Sequence, residues 1–264
     1  MQLRKSLYGL KQAGRAWYSK IDAVLLEVGF TRLVTDHCVY SLRKADLIIL
    51  IALYVDDLLL LSNFLDKLNE MKRVLSRRFD MKDLGEVDYI LGIQVERNRK
   101  ARTLTISQRE YVKKVLERYG MADCKPVATP LEHNIKLAKT DCSVLSTPSQ
   151  RLQYQSAIGA VMYAMLGTRT DIAFSVCALS RFSSNPGQVH ELGLKRLLRY
   201  LSGTTDYKIT YSGSGNSSGN HSLLLLAIVM PIGALMKSIA ILLQHMYFCF
   251  VVGRSAGNPR NSLL

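Results

Sequence analysis

Tryptophan, proline and closely spaced cysteines are scarce in this sequence of 264 residues, which has one tryptophan, six prolines and five cysteines. The cysteines are scattered without C-x-x-C spacing, which argues against a zinc site or a disulfide framework and predicts reduced intracellular thiols. The first fourteen residues lack the apolar run of a signal peptide. The hydrophobic fraction of 48% and the charged fraction of 21% exclude wholesale disorder.

Acidic residues are absent from residues 212–264, whose charged residues are Lys237, Arg254 and Arg260. The rest of the chain holds the other 32 basic residues and all 21 acidic ones. The formal net charge of the whole sequence is +14, which favours a polyanionic partner such as nucleic acid. Two different kinds of sequence are therefore joined near residue 212.

Apolar spacing divides the first 211 residues into the helices and strands of an α+β fold. Helices are predicted at 12–28, 63–79, 107–119, 151–166, 170–182 and 189–201, and strands at 38–42, 47–54, 58–61, 87–96 and 104–106. Ser107 and Glu110 predict a capping box that opens the third helix, with the serine accepting the Glu110 amide. Pro126, Pro130 and Pro148 lie among polar residues and indicate a linker.

The tetrad Tyr54-Val55-Asp56-Asp57 interrupts an apolar hairpin, with residues 47–53 before it and 58–61 after it. Two adjacent carboxylates on a tight turn repel each other, and partial burial increases the cost. A divalent cation relieves that repulsion, and carboxylate oxygens are the hard ligands that Mg²⁺ prefers. The alternative is a solvated Asp-Asp turn that only joins two strands. The apolar flanks favour the metal site.

A series of short motifs follows in order along residues 3–211. They are Leu7-Tyr8-Gly9-Leu10-Lys11-Gln12-Ala13 with Trp17-Tyr18, the tetrad at 54–57, Met81-Lys82-Asp83-Leu84-Gly85, Ile90-Leu91-Gly92-Ile93, Leu104-Thr105-Ile106-Ser107-Gln108, Lys125-Pro126, Thr129-Pro130-Leu131, Ser180-Arg181-Phe182, Asn185-Pro186-Gly187, Arg199-Tyr200-Leu201 and Gly203-Thr204. Together they resemble the reverse transcriptase of copia-type LTR retrotransposons. The resemblance implies a partial palm, built as an antiparallel hairpin sheet with helices, and a helical thumb and connection region.

The same resemblance implies roles for nine residues. Asp56 and Asp57 resemble the metal-binding catalytic carboxylates, and Lys82 resembles the catalytic lysine that protonates the leaving pyrophosphate. The residues implied in template or nucleotide binding are Lys11, Gln12 and Tyr54, and those of a primer-gripping turn are Leu91, Gly92 and Ile93. Two alternatives stay open, an ordinary exposed lysine for Lys82 and a polar residue at a helix start for Gln12.

The function implied by the resemblance is RNA-directed DNA polymerisation, a nucleotidyl transfer onto a primer that depends on Mg²⁺ or Mn²⁺. The implied partners are an RNA template, a DNA primer and deoxynucleotides, without a small-molecule cofactor, in the cytoplasm or nucleus. In the family a third carboxylate lies on a strand upstream of the block at 7–18, and this sequence starts at Met1. We therefore expect a truncated chain that is inactive as a polymerase, with a non-catalytic nucleic-acid-binding remnant as the alternative.

Five segments are predicted from the motifs and the composition. They are a partial palm over 1–106, a thumb-like helix and strand over 107–131, a linker over 132–149, a helical connection region over 150–211, and an unstructured or aberrant apolar tail over 212–264.

The tail raises a further alternative, a membrane anchor, because residues 223–252 contain a single charge, Lys237. Pro231 and Gly233 interrupt the run, and a lysine in mid-bilayer costs roughly 2.5–3.5 kcal/mol on insertion scales. When each codon is read from the last base of one residue and the first two bases of the next, permitted codons for residues 227–237 can spell Tyr-Ser-Asp-Ala-Asp-Trp-Gly-Thr-Asp-Glu, which resembles the start of the family's ribonuclease H. Residues 255–264 give a second match in the same frame, so we interpret the tail as the product of a frameshift near residues 224–226.

Overall fold

The structure, a computed structural model, describes residues 9–133, 135, 137–138, 147–212 and 247–253. Its α-helices are α1 (Ala13–Val28), α2 (Leu65–Arg78), α3 (Arg109–Arg118), α4 (Pro148–Gly167), α5 (Ala173–Ser180) and α6 (Gln188–Gly203). Its strands are β1 (Thr31–Arg32), β2 (Val39–Lys44), β3 (Leu47–Tyr54), β4 (Asp57–Ser62), β5 (Met81–Gly85), β6 (Tyr89–Ile90), β7 (Ile93–Asn98), β8 (Thr103–Ser107), β9 (Lys208–Ser212) and β10 (Tyr247–Gly253).

The chain divides into two compact units. Among the described residues, the first unit contains residues 9–88 together with β10, and the second contains the residues from Tyr89 to Ser212. Each unit has its own antiparallel sheet and its own helices. The predicted α+β class is thereby confirmed, and the five predicted segments stay a prediction.

The sheet of the first unit has six strands in the order β1-β2-β3-β4-β10-β5. β3 and β4 form the hairpin at its centre, and their pairing ends where Tyr54 lies opposite Asp57. All four leucines at 58–61 are at most 4% exposed. A strand buried on both faces is apolar throughout rather than alternating, which is why these two strands could be predicted from the sequence.

Two helices, α1 and α2, contribute to the core of the first unit with alternate residues of β3 and β4. The buried members are Ile21, Val24, Leu25, Phe30, Tyr40, Ile49, Ile51, Leu53, Leu58, Leu60, Leu68, Met71, Leu75 and Phe79. Gly29 closes α1 in a left-handed conformation at φ 102°, a backbone geometry that glycine adopts without steric cost. The core therefore holds α1 against the central hairpin.

The strand β10 lies between β4 and β5 and pairs antiparallel with both. Val252 lies opposite Asp57 on one side and opposite Lys82 on the other. The sequence predicts an unstructured or aberrant tail, and within that tail the seven residues Tyr247–Gly253 form a strand. Aromatic and β-branched residues favour strands, and β10 pairs backbone groups of β4 and β5 that would otherwise form open edges. The rest of the tail lies outside the described residues.

The second unit combines a four-stranded sheet, β6-β7-β8-β9, with α3, α4, α5 and α6. Its core consists of apolar residues from all four helices, among them Val112, Val115, Leu116, Ile158, Val161, Val176, Leu179, Leu194, Leu197 and Leu201. α4 begins with a capping box, since the Gln150 amide donates to Thr147 Oγ1 at 3.2 Å. The apolar spacing predicted at 151–166 and 189–201 lies within α4 and α6.

The predicted capping box at the start of α3 is wrong. Ser107 Oγ accepts the amide of Arg109 at 3.2 Å rather than that of Glu110, and Glu110 pairs with Lys113 at 2.9 Å. Gln108 occupies the cap position and is 2% exposed. Its Oε1 accepts from the Thr168 amide at 2.9 Å, so the side chain joins the two helices instead of capping one.

Arg169 is a buried cation in the second unit, with 1% of the residue exposed. Its guanidinium donates to both carboxylate oxygens of Asp171, at 3.0 and 2.8 Å. It also donates to the carbonyl of Thr204 at 2.9 Å, and Tyr200 donates to Asp171 at 2.8 Å. A buried charge is tolerated when its hydrogen-bonding groups are satisfied in this way.

Two predicted segments lie largely outside the described residues. They are the linker at 132–149, which ends as α4 begins at Pro148, and the apolar run at 223–252, for which a membrane anchor is the less favoured alternative. Of the latter, residues 247–252 are described, and they belong to β10. Among the helices that the structure describes, none is long and apolar enough to cross a bilayer.

Candidate metal centre

The loop Val55–Asp56 joins β3 to β4 between the paired residues Tyr54 and Asp57. Two-residue hairpin loops require positive φ at the first central position, which glycine usually supplies. Val55 has φ 54°, a region that β-branched residues rarely enter. Such a conformation costs about 1–3 kcal/mol and persists where neighbouring contacts hold it.

Trp17 of α1 holds this loop, because its indole Nε1 donates to the carbonyl of Val55 at 2.7 Å. The indole ring lies edge-on to Phe79, with centroids 5.3 Å apart and the planes at 76°. The sequence reasoning missed this contact because Trp17 falls on the apolar stripe of the predicted helix. The indole N–H could have indicated such a contact, since a partly buried tryptophan usually donates this hydrogen to an acceptor.

Asp56 and Asp57 are both partly buried at the end of the hairpin. Burial, and secondly the charge of Asp56, raise the pKa of the Asp57 carboxyl above its ordinary value. Both causes disfavour the ionised carboxylate. A cation bound between the two carboxylates would offset the cost of burial and the repulsion from Asp56. The raised pKa of Asp57 is therefore compatible with the predicted metal site.

The donor set suits one hard divalent cation. Mg²⁺ is commonly held by one or two carboxylates, with water and substrate phosphates completing its octahedron. In the part of the chain that the structure describes, no group of three or more His, Cys, Asp or Glu side chains is arranged to hold a metal ion. Asp56 and Asp57 therefore fit a single cation, and a second ion would need further ligands.

The other residues predicted for the first unit lie on three of its elements. Lys11 and Gln12 are exposed at the start of α1, where Gln12 occupies the N-cap position without a capping side-chain bond. Tyr54 ends β3 and is 46% exposed. Lys82 is exposed on β5, in the same cross-strand row as Asp57.

The predicted primer-gripping residues lie in the second unit, in the turn between β6 and β7. Leu91 and Gly92 have φ 51° and 73° and lie between the paired Ile90 and Ile93, as in a type I′ hairpin. Tyr163 of α4 donates its hydroxyl hydrogen to the carbonyl of Leu91. No local pattern in the sequence indicates this contact, because α4 follows the turn by more than fifty residues.

Comparison with known proteins identifies the class. The family described as reverse transcriptase (RNA-dependent DNA polymerase) matches residues 1–133, and the chain belongs to this family. Its relatives assign it more narrowly to the copia-type reverse transcriptases of retrotransposon Pol polyproteins.

The similarity extends through both units. The chain is 43% identical over 217 residues to a retrovirus-related Pol polyprotein from transposon TNT 1-94 of Nicotiana tabacum, a match that covers 81% of this chain and 16% of that protein. It is 38% identical over 221 residues to the corresponding polyprotein from transposon RE1 of Arabidopsis thaliana, covering 84% of this chain and 15% of that protein. A transposon Ty5-1 protein of Saccharomyces cerevisiae is 34% identical over 216 residues, covering 81% of this chain and 68% of that protein. No solved structure matches the chain.

Proposed function

We propose that this chain binds one divalent cation at Asp56 and Asp57 and binds a primer–template duplex, but does not extend the primer by itself. The observation that carries the proposal is the pair of partly buried carboxylates on a strained turn, with the pKa of Asp57 raised by burial and by Asp56. Such a pair is stable at neutral pH when a cation neutralises it.

The roles of the remaining residues follow the family resemblance. A bound cation would stabilise charge on phosphate oxygens, and Asp56 and Asp57 would hold it through their carboxylate oxygens. Lys82 corresponds to the lysine that would supply a proton to the leaving pyrophosphate in a family member that extends a primer. Contacts to the template and to the incoming nucleotide would come from Lys11, Gln12 and Tyr54, and the primer end would be gripped by Leu91, Gly92 and Ile93.

The absence of primer extension is proposed from the number of carboxylates. Two ions bound about 3.5–4 Å apart stabilise the attacking and leaving oxygens in polymerases, and two adjacent carboxylates provide too few ligands for both. The chain also spans 16% and 15% of the two Pol polyproteins from tobacco and Arabidopsis, so the activity of the whole polyprotein is not attributed to it.

Mn²⁺ titration followed by electron paramagnetic resonance tests the metal site in the full chain. Asp57→Asn should abolish the binding, whereas Asp46→Asn should leave it intact. Asp46 is a matched control, because it is exposed in the β2–β3 loop, which also has a residue at positive φ, Ala45 at 46°. Equal Mn²⁺ binding by the wild type and Asp57→Asn would contradict the proposed site.

Primer extension on an RNA template with Mg²⁺ tests the second part of the proposal. We expect no more incorporation by the wild-type chain than by Asp56→Asn. Incorporation that disappears in Asp56→Asn would show that the chain is an active polymerase.

A second candidate function, nucleic-acid binding that involves no cation at Asp56 and Asp57, is favoured by the basic surface of α2. A surface cleft there is lined by Asn69, Lys72, Arg73, Ser76, Arg77 and Asp83. Lys72 is already paired with Asp83 at 3.0 Å, so Arg73 and Arg77 are the better candidates for phosphate contacts. Each lost phosphate contact reduces the magnitude of the negative slope of log affinity against log salt by about 0.7–0.9.

Fluorescence anisotropy of a labelled RNA–DNA duplex over a salt series measures that slope. The variant Arg73→Ala/Arg77→Ala should weaken binding and flatten the slope, and Arg43→Ala/Lys44→Ala provides an exposed pair of equal charge on β2 as a control. An unchanged slope in the α2 variant would exclude this surface as a phosphate-binding site.

A further inference from the structure

The position of Asp56 depends on a loop that its own sequence does not favour. Val55 is 65% exposed and has φ 54°, so neither burial of its side chain nor its backbone preference holds the loop in this conformation. The pairing of Tyr54 with Asp57 closes the loop, and a contact from outside the hairpin adds to holding this conformation.

That contact is the hydrogen bond from Trp17 Nε1 to the carbonyl of Val55, at 2.7 Å. The carbonyl belongs to the peptide unit that joins Val55 to Asp56. Its orientation therefore fixes the backbone from which the Asp56 side chain projects, and Asp57 begins β4 at the next residue.

The indole is itself held in place by the core. Trp17 lies on α1, whose residues Ile21 and Leu25 are fully buried. The edge-to-face contact with Phe79, which is 8% exposed, fixes the ring from the end of α2. The hydrogen bond thus connects the hydrophobic core of the first unit to the carboxylate turn.

We propose that Trp17 is a positioning residue for the carboxylate turn, and that it aligns Asp56 and Asp57 for cation binding through the Val55 carbonyl. This inference rests on the proposed cation site. Trp17 touches neither cation nor substrate in this role, and its effect passes entirely through the conformation of the loop.

A double-mutant cycle in the full chain tests the inference, with Mn²⁺ affinity as the measurement. Trp17→Phe keeps an aromatic ring against Phe79 and removes the donor, and should weaken Mn²⁺ binding about three- to tenfold, the usual effect of one lost hydrogen bond. Val55→Gly removes the Cβ that disfavours positive φ. In the Val55→Gly background, Trp17→Phe should therefore change the affinity less than about twofold, since the loop no longer needs the indole.

Several outcomes overturn the inference. The first is that Trp17→Phe leaves the Mn²⁺ affinity unchanged. The second is that Trp17→Phe weakens binding by the same factor in the wild type and in the Val55→Gly background, which would make the role of Trp17 purely structural. Asp57→Asn separates the two proposals: if it leaves Mn²⁺ binding unchanged, the cation site itself is wrong. If Asp57→Asn abolishes binding while Trp17→Phe does not weaken it, this inference alone fails.

A second substitution covers the possibility that Trp17→Phe does not fold. Trp17 is the single tryptophan of the sequence, so replacing tryptophan by benzothienylalanine during expression changes this position alone. The analogue keeps the bicyclic shape and lacks the N–H group. A threefold or greater loss of Mn²⁺ affinity with an unchanged melting temperature supports the positioning role, and full affinity overturns it.

Discussion

Asp57 on β4 and Lys82 on β5 lie in one row across the sheet, each directly opposite Val252 of β10. Neighbouring strands are about 4.8 Å apart, so the two backbones are separated by about 10 Å. Residues that lie directly opposite each other in antiparallel strands share a face of the sheet. The predicted lysine and the predicted metal ligand are therefore on the same face, with β10 between them.

The first prediction concerns β10. Replacing Phe250 or Val251 by proline should lower the free energy of unfolding by about 1–3 kcal/mol, because each proline removes a ladder hydrogen bond and leaves its acceptor unpaired. β10 pairs with β4 on one side and with β5 on the other, so the proline variants should speed amide exchange in these neighbouring strands. Amide hydrogen exchange of residues 58–62 and 81–85 measures this.

Cys249→Val is the control for β10, since it keeps the amide and favours a strand. It should leave the exchange rates unchanged. If the amides of β4 and β5 exchange at the wild-type rate in both proline variants, the tail does not form the strand between β4 and β5.

The second prediction concerns the dependence of the free energy of unfolding on pH. The raised pKa of Asp57 means that the folded state binds this proton more tightly than the unfolded chain does. In metal-free buffer the free energy of unfolding should therefore fall as the pH rises through the range from the ordinary aspartate value to the raised one. Thermal denaturation between about pH 4 and about pH 7 should show this fall, and Asp57→Asn should remove it.

Mg²⁺ should reverse the effect at neutral pH, because a cation at the proposed site would bind the ionised carboxylates and would compete with protons at low pH. The increase in melting temperature on adding Mg²⁺ should be larger at neutral than at acidic pH. A Mg²⁺ effect that is independent of pH would contradict binding at this pair.

The third prediction compares two arginines of the second unit. Arg169→Met should destabilise the fold by about 1–3 kcal/mol, because it removes the hydrogen bonds of the buried guanidinium to Asp171 and leaves the carbonyl of Thr204 without its donor. Arg109→Met removes an exposed ion pair with Asp206, at 3.5 Å with side chains 51% and 77% exposed, and should cost at most about 1 kcal/mol. Urea denaturation of both variants measures the free energy of unfolding, and equal decreases in the two variants would contradict the burial of Arg169.

The fourth prediction compares two glycines of α4. A Cβ at Gly167 would lie 2.3 Å from Gln108 Oε1, and Gln108 cannot move without losing its bond to Thr168, so Gly167→Ala should destabilise by about 1–3 kcal/mol. A Cβ at Gly159 meets nothing within 4 Å, so Gly159→Ala should stabilise by about 0.5–1 kcal/mol through helix propensity. Melting temperatures that change in the same direction would contradict this packing.

The fifth prediction concerns the origin of the tail. The nucleotide sequence that encodes residues 227–237 should read Tyr-Ser-Asp-Ala-Asp-Trp when the codons are shifted as described above. Sequencing the gene decides this directly, and any other reading in that frame would rule out the frameshift.

The local pattern of the sequence was sufficient to predict the central hairpin and to single out the carboxylate pair at its end. Residues 47–53 and 58–61 are apolar because both faces of their strands are buried, and a doubly buried strand is recognisable without knowledge of its neighbours. The tetrad at 54–57 stands out against those flanks for the same reason. The ordered motifs along residues 3–211 identified the family, since their order does not depend on the fold.

Contacts between residues distant in the chain were decided by the tertiary structure. Trp17 meets Val55 across 38 positions, and Gln108 bonds Thr168 across 60, so the spacing of neither pair carries a periodic signal. The place of β10 between β4 and β5 is of the same kind, because strand order depends on which backbone edges are left to pair. The sequence by itself determined the family, the hairpin and the carboxylates. The tertiary structure decided what holds the turn that carries them, because long-range hydrogen bonds and packing form only when the chain has folded.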